Sequence, residues 1–199
     1  MDILSVSFSL DSFHRSVSTS PFNIFFSSSP LGRFYKEDFS LNDAVVITTL
    51  TSLHYGFLVR PWHKNITKAL RKEPKWFLRD WSEIEDPGKR AETFCACHLL
   101  KAVEGWTDLG LGSFALRYIR DKQQREVDFL VTRDDEPWIL VEAKLSDTHL
   151  SPHLTYFQKC TRCAYAFQIV INNEFIENDC FTYTTPTVVP ARTLFSQLL

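Results

Sequence analysis

Apolar and polar positions change rhythm several times along this chain, and each rhythm predicts an element. From Asn42 onward, Val46, Ile47, Leu50, Leu53 and Phe57 recur at helical spacing. Phe57-Leu58-Val59-Arg60 then reads as a short strand stopped by Pro61-Trp62, and Lys75-Trp76-Phe77-Leu78-Arg79 reads as a second. Asp86-Pro87-Gly88 marks a break before a strong helix expected from about Lys89 to Gly105. Its stripe is Phe94, Cys97, His98, Lys101 and Ala102, with Leu99, Leu100 and Val103 filling the apolar arc. Three strand-like runs follow, Phe114 to Arg120, Glu126 to Thr132 and Trp138 to Lys144, with hairpin-length connections between them. A helix around Leu150–Lys159 and an apolar run Tyr165–Ile171 complete the series. The order α-β-β-β-α-β predicts an α/β protein, a mixed sheet flanked by helices.

The same pass divides the chain. Residues 1–41 form a Ser-rich, weakly structured or degenerate segment, with eleven Ser in the first forty positions. Residues 42–85, helix, strand, long turn and strand, have the outline of a small winged-helix-like unit. Residues 86–199 carry the larger pattern. In the turn, Lys64, Lys68, Arg71, Lys72 and Lys75 stand against a single Glu73. A basic wing beside Trp62 and Trp76 suits phosphate contact; a solvated charge run is the plainer alternative.

Composition narrows the function classes. With 199 residues, 44% hydrophobic, the chain can bury a sizeable core. A net charge of −2 gives no chain-wide attraction to nucleic acid, so any affinity must come from a local patch. No segment is apolar for long enough to cross a bilayer. With five cysteines, an odd number, a reduced, soluble, cytoplasmic protein is expected. No Gly-x-x-x-x-Gly-Lys-Ser/Thr occurs, so no nucleotide site is expected in this chain.

Candidate chemistry concentrates in the most apolar strands. Strand alternation puts Glu142 and Lys144 on one face, starting ~6.6 Å apart, inside Trp138-Ile-Leu-Val-Glu-Ala-Lys-Leu. Asp128 sits between Val127 and Phe129 on the preceding strand, where a hairpin can turn it toward Glu142. Two carboxylates converging in a low-dielectric groove repel, and a hard divalent cation, Mg²⁺ or Mn²⁺, resolves the conflict. Lys144 could then orient a nucleophilic water, and Glu92, near the start of the long helix, could add a third oxygen ligand. The plainer reading makes Glu142–Lys144 or Asp128–Lys144 a simple ion pair. Cys95, Cys97, Cys160 and Cys163 read better as reduced core thiols than as a metal site, because alternate helical residues diverge. His54 and His98 read as core or boundary residues, and His149 and His153 flank Pro152 just after the Trp138–Lys144 strand, where they could approach the groove.

Arg125-Glu-Val-Asp128-Phe-Leu, followed by Glu142-Ala-Lys144, resembles the signature of the domain of unknown function 4143 family. Pro61-Trp62-His-Lys-Asn65, Pro74 to Asp80, Gly88-Lys-Arg-Ala-Glu92, Arg117-Tyr118-Ile-Arg120 and Val188 to Leu194 extend the resemblance over about residues 42–199. Arg79-Asp80-Trp81 departs from it, lacking the Asp-small-Gly turn usual there. The resemblance implies a PD-(D/E)xK, restriction-endonuclease-like fold with Glu92, Asp128, Glu142 and Lys144 as site residues. It also implies the C-terminal module of an AAA-type ATPase whose nucleotide-binding half is not in this chain. Two functions are expected to compete. One is a Mg²⁺-dependent phosphodiesterase acting on DNA, with Asp128, Glu142 and Glu92 at the metal and Lys64, Lys68, Arg71 and Lys72 on the nucleic acid. The other is a non-catalytic DNA-binding or regulatory module partnering a separate ATPase, or a truncated, inactive remnant.

Overall fold

The computed structural model describes residues 41–62 and 73–198. Helix α1 (Leu41–Ser52) leads to β1 (Gly56–Pro61) and β2 (Lys75–Leu78). The long helix α2 (Pro87–Asp108) is followed by β3 (Phe114–Arg120), β4 (Glu126–Arg133) and β5 (Glu136–Lys144). Then come α3 (Pro152–Thr161), β6 (Tyr165–Val170), β7 (Thr187–Pro190) and the short α4 (Ala191–Phe195). All strands join one seven-stranded mixed sheet in the order β2-β1-β3-β4-β5-β6-β7. β1–β3, β5–β6 and β6–β7 run parallel, and the other neighbours run antiparallel.

The two strands that the sequence pattern set apart within residues 42–85 therefore lie at one end of this common sheet, β2 at its edge and β1 between β2 and β3. β1 continues through Arg60↔Arg117 and Pro61↔Tyr118 into β3. The basic positions Lys64, Lys68, Arg71 and Lys72, and the Ser-rich segment, lie outside the described residues.

Helices pack on both faces. On one face, Cys95, Ala96, Leu99, Ala102, Val103 and Trp106 of α2 cover Phe129, Val131, Ile139, Val141, Phe167 and Ile169. On the other, Leu154 and Phe157 of α3 cover Val127, Leu130, Leu140 and Ala166. The buried stripe of α2 differs from the expected one. Ala91, Cys95, Ala96 and Ala102 face the sheet because small side chains let a helix approach closely, while Lys101 is exposed. Phe94 and His98 sit at the margin, where His98 stacks on Phe195 at 4.8 Å between centroids.

α2 also runs past Gly105, where a stop was expected. Glycine inside a helix costs only about 1 kcal/mol. Trp106, one residue on, is buried and donates its indole N–H to the Leu198 carbonyl at 2.7 Å. The turn comes at Gly110, whose φ of +74° suits glycine. At the start of α2, Asp86 accepts the Lys89 N–H at 2.7 Å and Pro87 occupies the first turn, a normal N-cap. The apolar spacing read as one helix through Phe57 breaks after Ser52. Leu53 is exposed and Phe57 enters β1, because a helix continued to Phe57 would forfeit the β1–β2 ladder.

Candidate functional site

Glu142 and Lys144 stand at the C-terminal end of β5. Ile139 and Val141 belong to the α2-side core and Leu140 to the α3-side core, so alternation places Glu142 and Lys144 on the α3 side. Lys144 Nζ donates to Glu142 Oε1 at 2.8 Å. The Glu142 side chain is only 8% exposed, and its other oxygen, Oε2, is buried without a hydrogen-bond partner. Burial and the nearby Asp128 charge push Glu142 up to about 7, against the pull of Lys144. An unsatisfied buried carboxylate oxygen is costly, so something positive is wanted there.

Asp128 owes its position to a defect in β4. The β3–β4 register passes from Arg117↔Leu130 to Ile119↔Val127, so Tyr118 alone faces both Asp128 and Phe129. Such a bulge bends a strand and re-aims a side chain. Pairing of β4 with β5 reaches Phe129↔Val141; beyond it, the Asp128 carboxylate accepts the Ala143 N–H at 2.9 Å. From there its charge acts on Glu142 of β5 and on Glu92 of α2. Asp128 is thus the member that connects the other two.

Glu92 does not stand free. Its Oε1 accepts from Lys75 Nζ at 3.1 Å, and the same ammonium lies 2.7 Å from Glu126 Oε1. Burial works against the charge of Lys75, but Glu92, Asp128 and Glu126 outweigh it and hold its pKa above the usual lysine value. Burial raises Glu92 to about 7; Lys75 opposes that rise and Asp128 adds to it. The Cys95 thiol, one helical turn from Glu92, is pushed up by burial, by Asp128 and by Glu92.

The structure therefore brings together Glu92, Asp128, Glu142 and Lys144 and adds Lys75 and Glu126, which sequence reasoning did not place here. Lys75, expected in a basic wing suited to phosphate contact or in a solvated charge run, is instead buried over the Tyr118 ring, 5.3 Å from its centroid. A lone Lys opening an otherwise apolar strand, Lys75-Trp76-Phe77-Leu78, was the signal available. A further contributor is Gln168, paired with Glu142 in the β5–β6 register and fully buried. It accepts the Ser151 N–H at 2.8 Å and donates to the Asp147 and His149 carbonyls at 3.0 and 2.9 Å, holding the segment that follows Lys144. His149 pairs with Asp147 at the surface.

The donors here are carboxylate oxygens, the chemistry that Mg²⁺ and Mn²⁺ prefer. Among the described residues, no group of three or more His, Cys, Asp and Glu side chains could hold a metal ion as they stand. Asp128 and Glu142 offer two ligands, and Mg²⁺ commonly keeps several waters beside one or two carboxylates. The five cysteines are unbridged, at scattered positions from buried Cys95 to exposed Cys160. No helix among the described residues is long and apolar enough to cross a membrane.

Comparison with known proteins gives one match: the family model described as Domain of unknown function (DUF4143) fits residues 87–192. No curated protein and no solved structure matches the chain.

Proposed function

We propose, from the premise that this chain belongs to the DUF4143 family, that its sheet carries a restriction-endonuclease-like, divalent-metal-dependent phosphodiesterase site acting on DNA. The observation that carries this reading is the buried, unpartnered Oε2 of Glu142 beside the charge of Asp128. Asp128 and Glu142 would hold Mg²⁺ or Mn²⁺, with Glu92 assisting through water. Bound there, a divalent ion lowers the pKa of its water and stabilises charge on a phosphate.

The chain's own residues prepare that chemistry. Asp128 is oriented by the Ala143 N–H, so its carboxylate is fixed before any ligand arrives. The Lys144 side chain is 33% exposed, so its ammonium can swing from Glu142 Oε1 to a phosphate oxygen or the nucleophilic water. Gln168 holds Asp147 to Ser151 beside it. Residues 42–85 would present DNA in the manner of a winged-helix-like unit, with Lys64, Lys68, Arg71 and Lys72 on phosphates. The test is plasmid and single-strand cleavage in Mg²⁺ by wild type, Asp128→Ala and Lys144→Ala. Cleavage that survives both substitutions sinks the proposal.

The closed Lys144–Glu142 pair at 2.8 Å favours a second reading. In it the charged groove persists without turnover, and the chain is a DNA-binding or regulatory module partnering an AAA-type ATPase. That reading expects salt-sensitive DNA binding, lost on neutralising Lys64, Lys68, Arg71 and Lys72, with no divalent requirement.

A further inference from the structure

We infer that Lys75 is an internal cation that permanently fills one of two cation positions in the acidic cluster, leaving room for a single divalent ion at Asp128 and Glu142. The second position rests on the metal reading above; the first does not.

Three carboxylates, Glu92 from α2 and Glu126 and Asp128 from β4, surround the Lys75 ammonium and act on its charge. Charges of one sign gathered in a partly desolvated space need a counter-charge. Lys75 supplies it, with Nζ 2.7 Å from Glu126 Oε1 and 3.1 Å from Glu92 Oε1. The geometry gives it no easy exit. Its side chain is 11% exposed, and the Tyr118 ring lies beneath the ammonium. Tyr118 donates its hydroxyl to the Glu73 carbonyl at 2.7 Å, tying down the chain just before Lys75. Trp76 and Phe77 are buried on the same strand.

The other half of the cluster is built differently. Glu142 Oε2 is buried and has no hydrogen-bond partner, and the cation beside it, Lys144, is on a half-buried arm, its side chain 33% exposed. One lysine is locked in and one is displaceable. An incoming ion can replace the contact of Lys144 but not that of Lys75, so the cluster accepts one ion. Glu92, held by Lys75, reaches the ion only through water.

The experiment titrates the full chain with Mn²⁺ alone, counting bound ions from the electron paramagnetic resonance of the free ion. Wild type, Lys75→Arg and Lys75→Met are compared, with melting temperatures recorded with and without Mn²⁺. The expected result is one ion on wild type and on Lys75→Arg, and one more on Lys75→Met. The melting temperature of Lys75→Met should also rise with Mn²⁺ by more than that of wild type. An unchanged count in Lys75→Met overturns the inference and leaves the metal reading standing. Zero ions on wild type and one on Lys75→Met keep the internal cation and overturn the metal reading. Zero on both overturns both, and two ions on wild type overturn the inference. If Lys75→Met does not fold, Lys75→Met/Glu126→Gln, which removes one charge of each sign, is titrated in its place. The same counts then decide.

Discussion

The carboxylate of Asp128 on β4 accepts the backbone N–H of Ala143 on β5 at 2.9 Å. This bond takes over where strand pairing stops and makes a charged side chain part of the sheet. It gives Asp128 two separable roles, an acceptor for the backbone and a charge for the cluster. Asp128→Ala removes both and leaves a backbone donor unsatisfied, a loss of roughly 1–3 kcal/mol in urea unfolding. Asp128→Asn keeps an acceptor oxygen and relieves repulsion on Glu92 and Glu142, so its stability should stay near wild type or above it. Both should lose Mg²⁺ affinity by calorimetry. Equal destabilisation by the two variants would contradict the strand-bridging role.

Glu92 and Glu142, both raised to about 7 from an ordinary 4.5, make stability depend on pH. Each binds its proton more tightly in the folded chain than in the unfolded one. The stability they contribute is therefore fully present below about 4.5 and is lost as pH rises through about 7. The urea midpoint should fall across that window, and Glu142→Gln, neutral at every pH, should flatten the curve. Added Mg²⁺ should restore stability mainly on the alkaline side, where it need not displace protons.

Gln168 makes three hydrogen bonds from a fully buried side chain to the Asp147–Ser151 segment. Gln168→Leu keeps the bulk but strands those backbone groups, at a cost of about 1–3 kcal/mol. Amide exchange at Ser151 should accelerate more than exchange within β6. Uniform acceleration across the sheet would mean that the residue serves the core alone.

Gly56 opens β1 against the Trp76 ring, and a Cβ there would lie 2.6 Å from the Phe77 carbonyl oxygen. Backbone cannot yield as a flexible side chain can, so Gly56→Ala should cost about 1–3 kcal/mol in thermal or urea unfolding. A neutral result would show that the β1–β2 edge shifts freely.

Much of the frame was legible along the chain because its causes are local. Apolar runs bounded by turn signals mark β4 to β6, whose side chains alternate between the α2 and α3 cores. The same alternation puts Glu142 and Lys144 on one face, and Asp86-Pro87 announces the start of α2. β7 is short and ends in a proline, so its four residues carry little periodic signal. It reads as a strand only because β6 lies beside it, from Phe167↔Thr187 to Val170↔Pro190.

The sequence by itself determined which residue types sit in the apolar strands, and so that Asp128, Glu142 and Lys144 had to be accounted for together. Only the tertiary structure decided how the charges are shared out. The β4 bulge opposite Tyr118 sets Asp128 between Glu92 and Glu142. The edge strand β2 delivers Lys75 to Glu92, 17 residues on, and to Glu126, further still. The physical reason is that an ion pair is fixed by distance and burial in space. Neither quantity is a function of spacing along the chain once the partners belong to different elements.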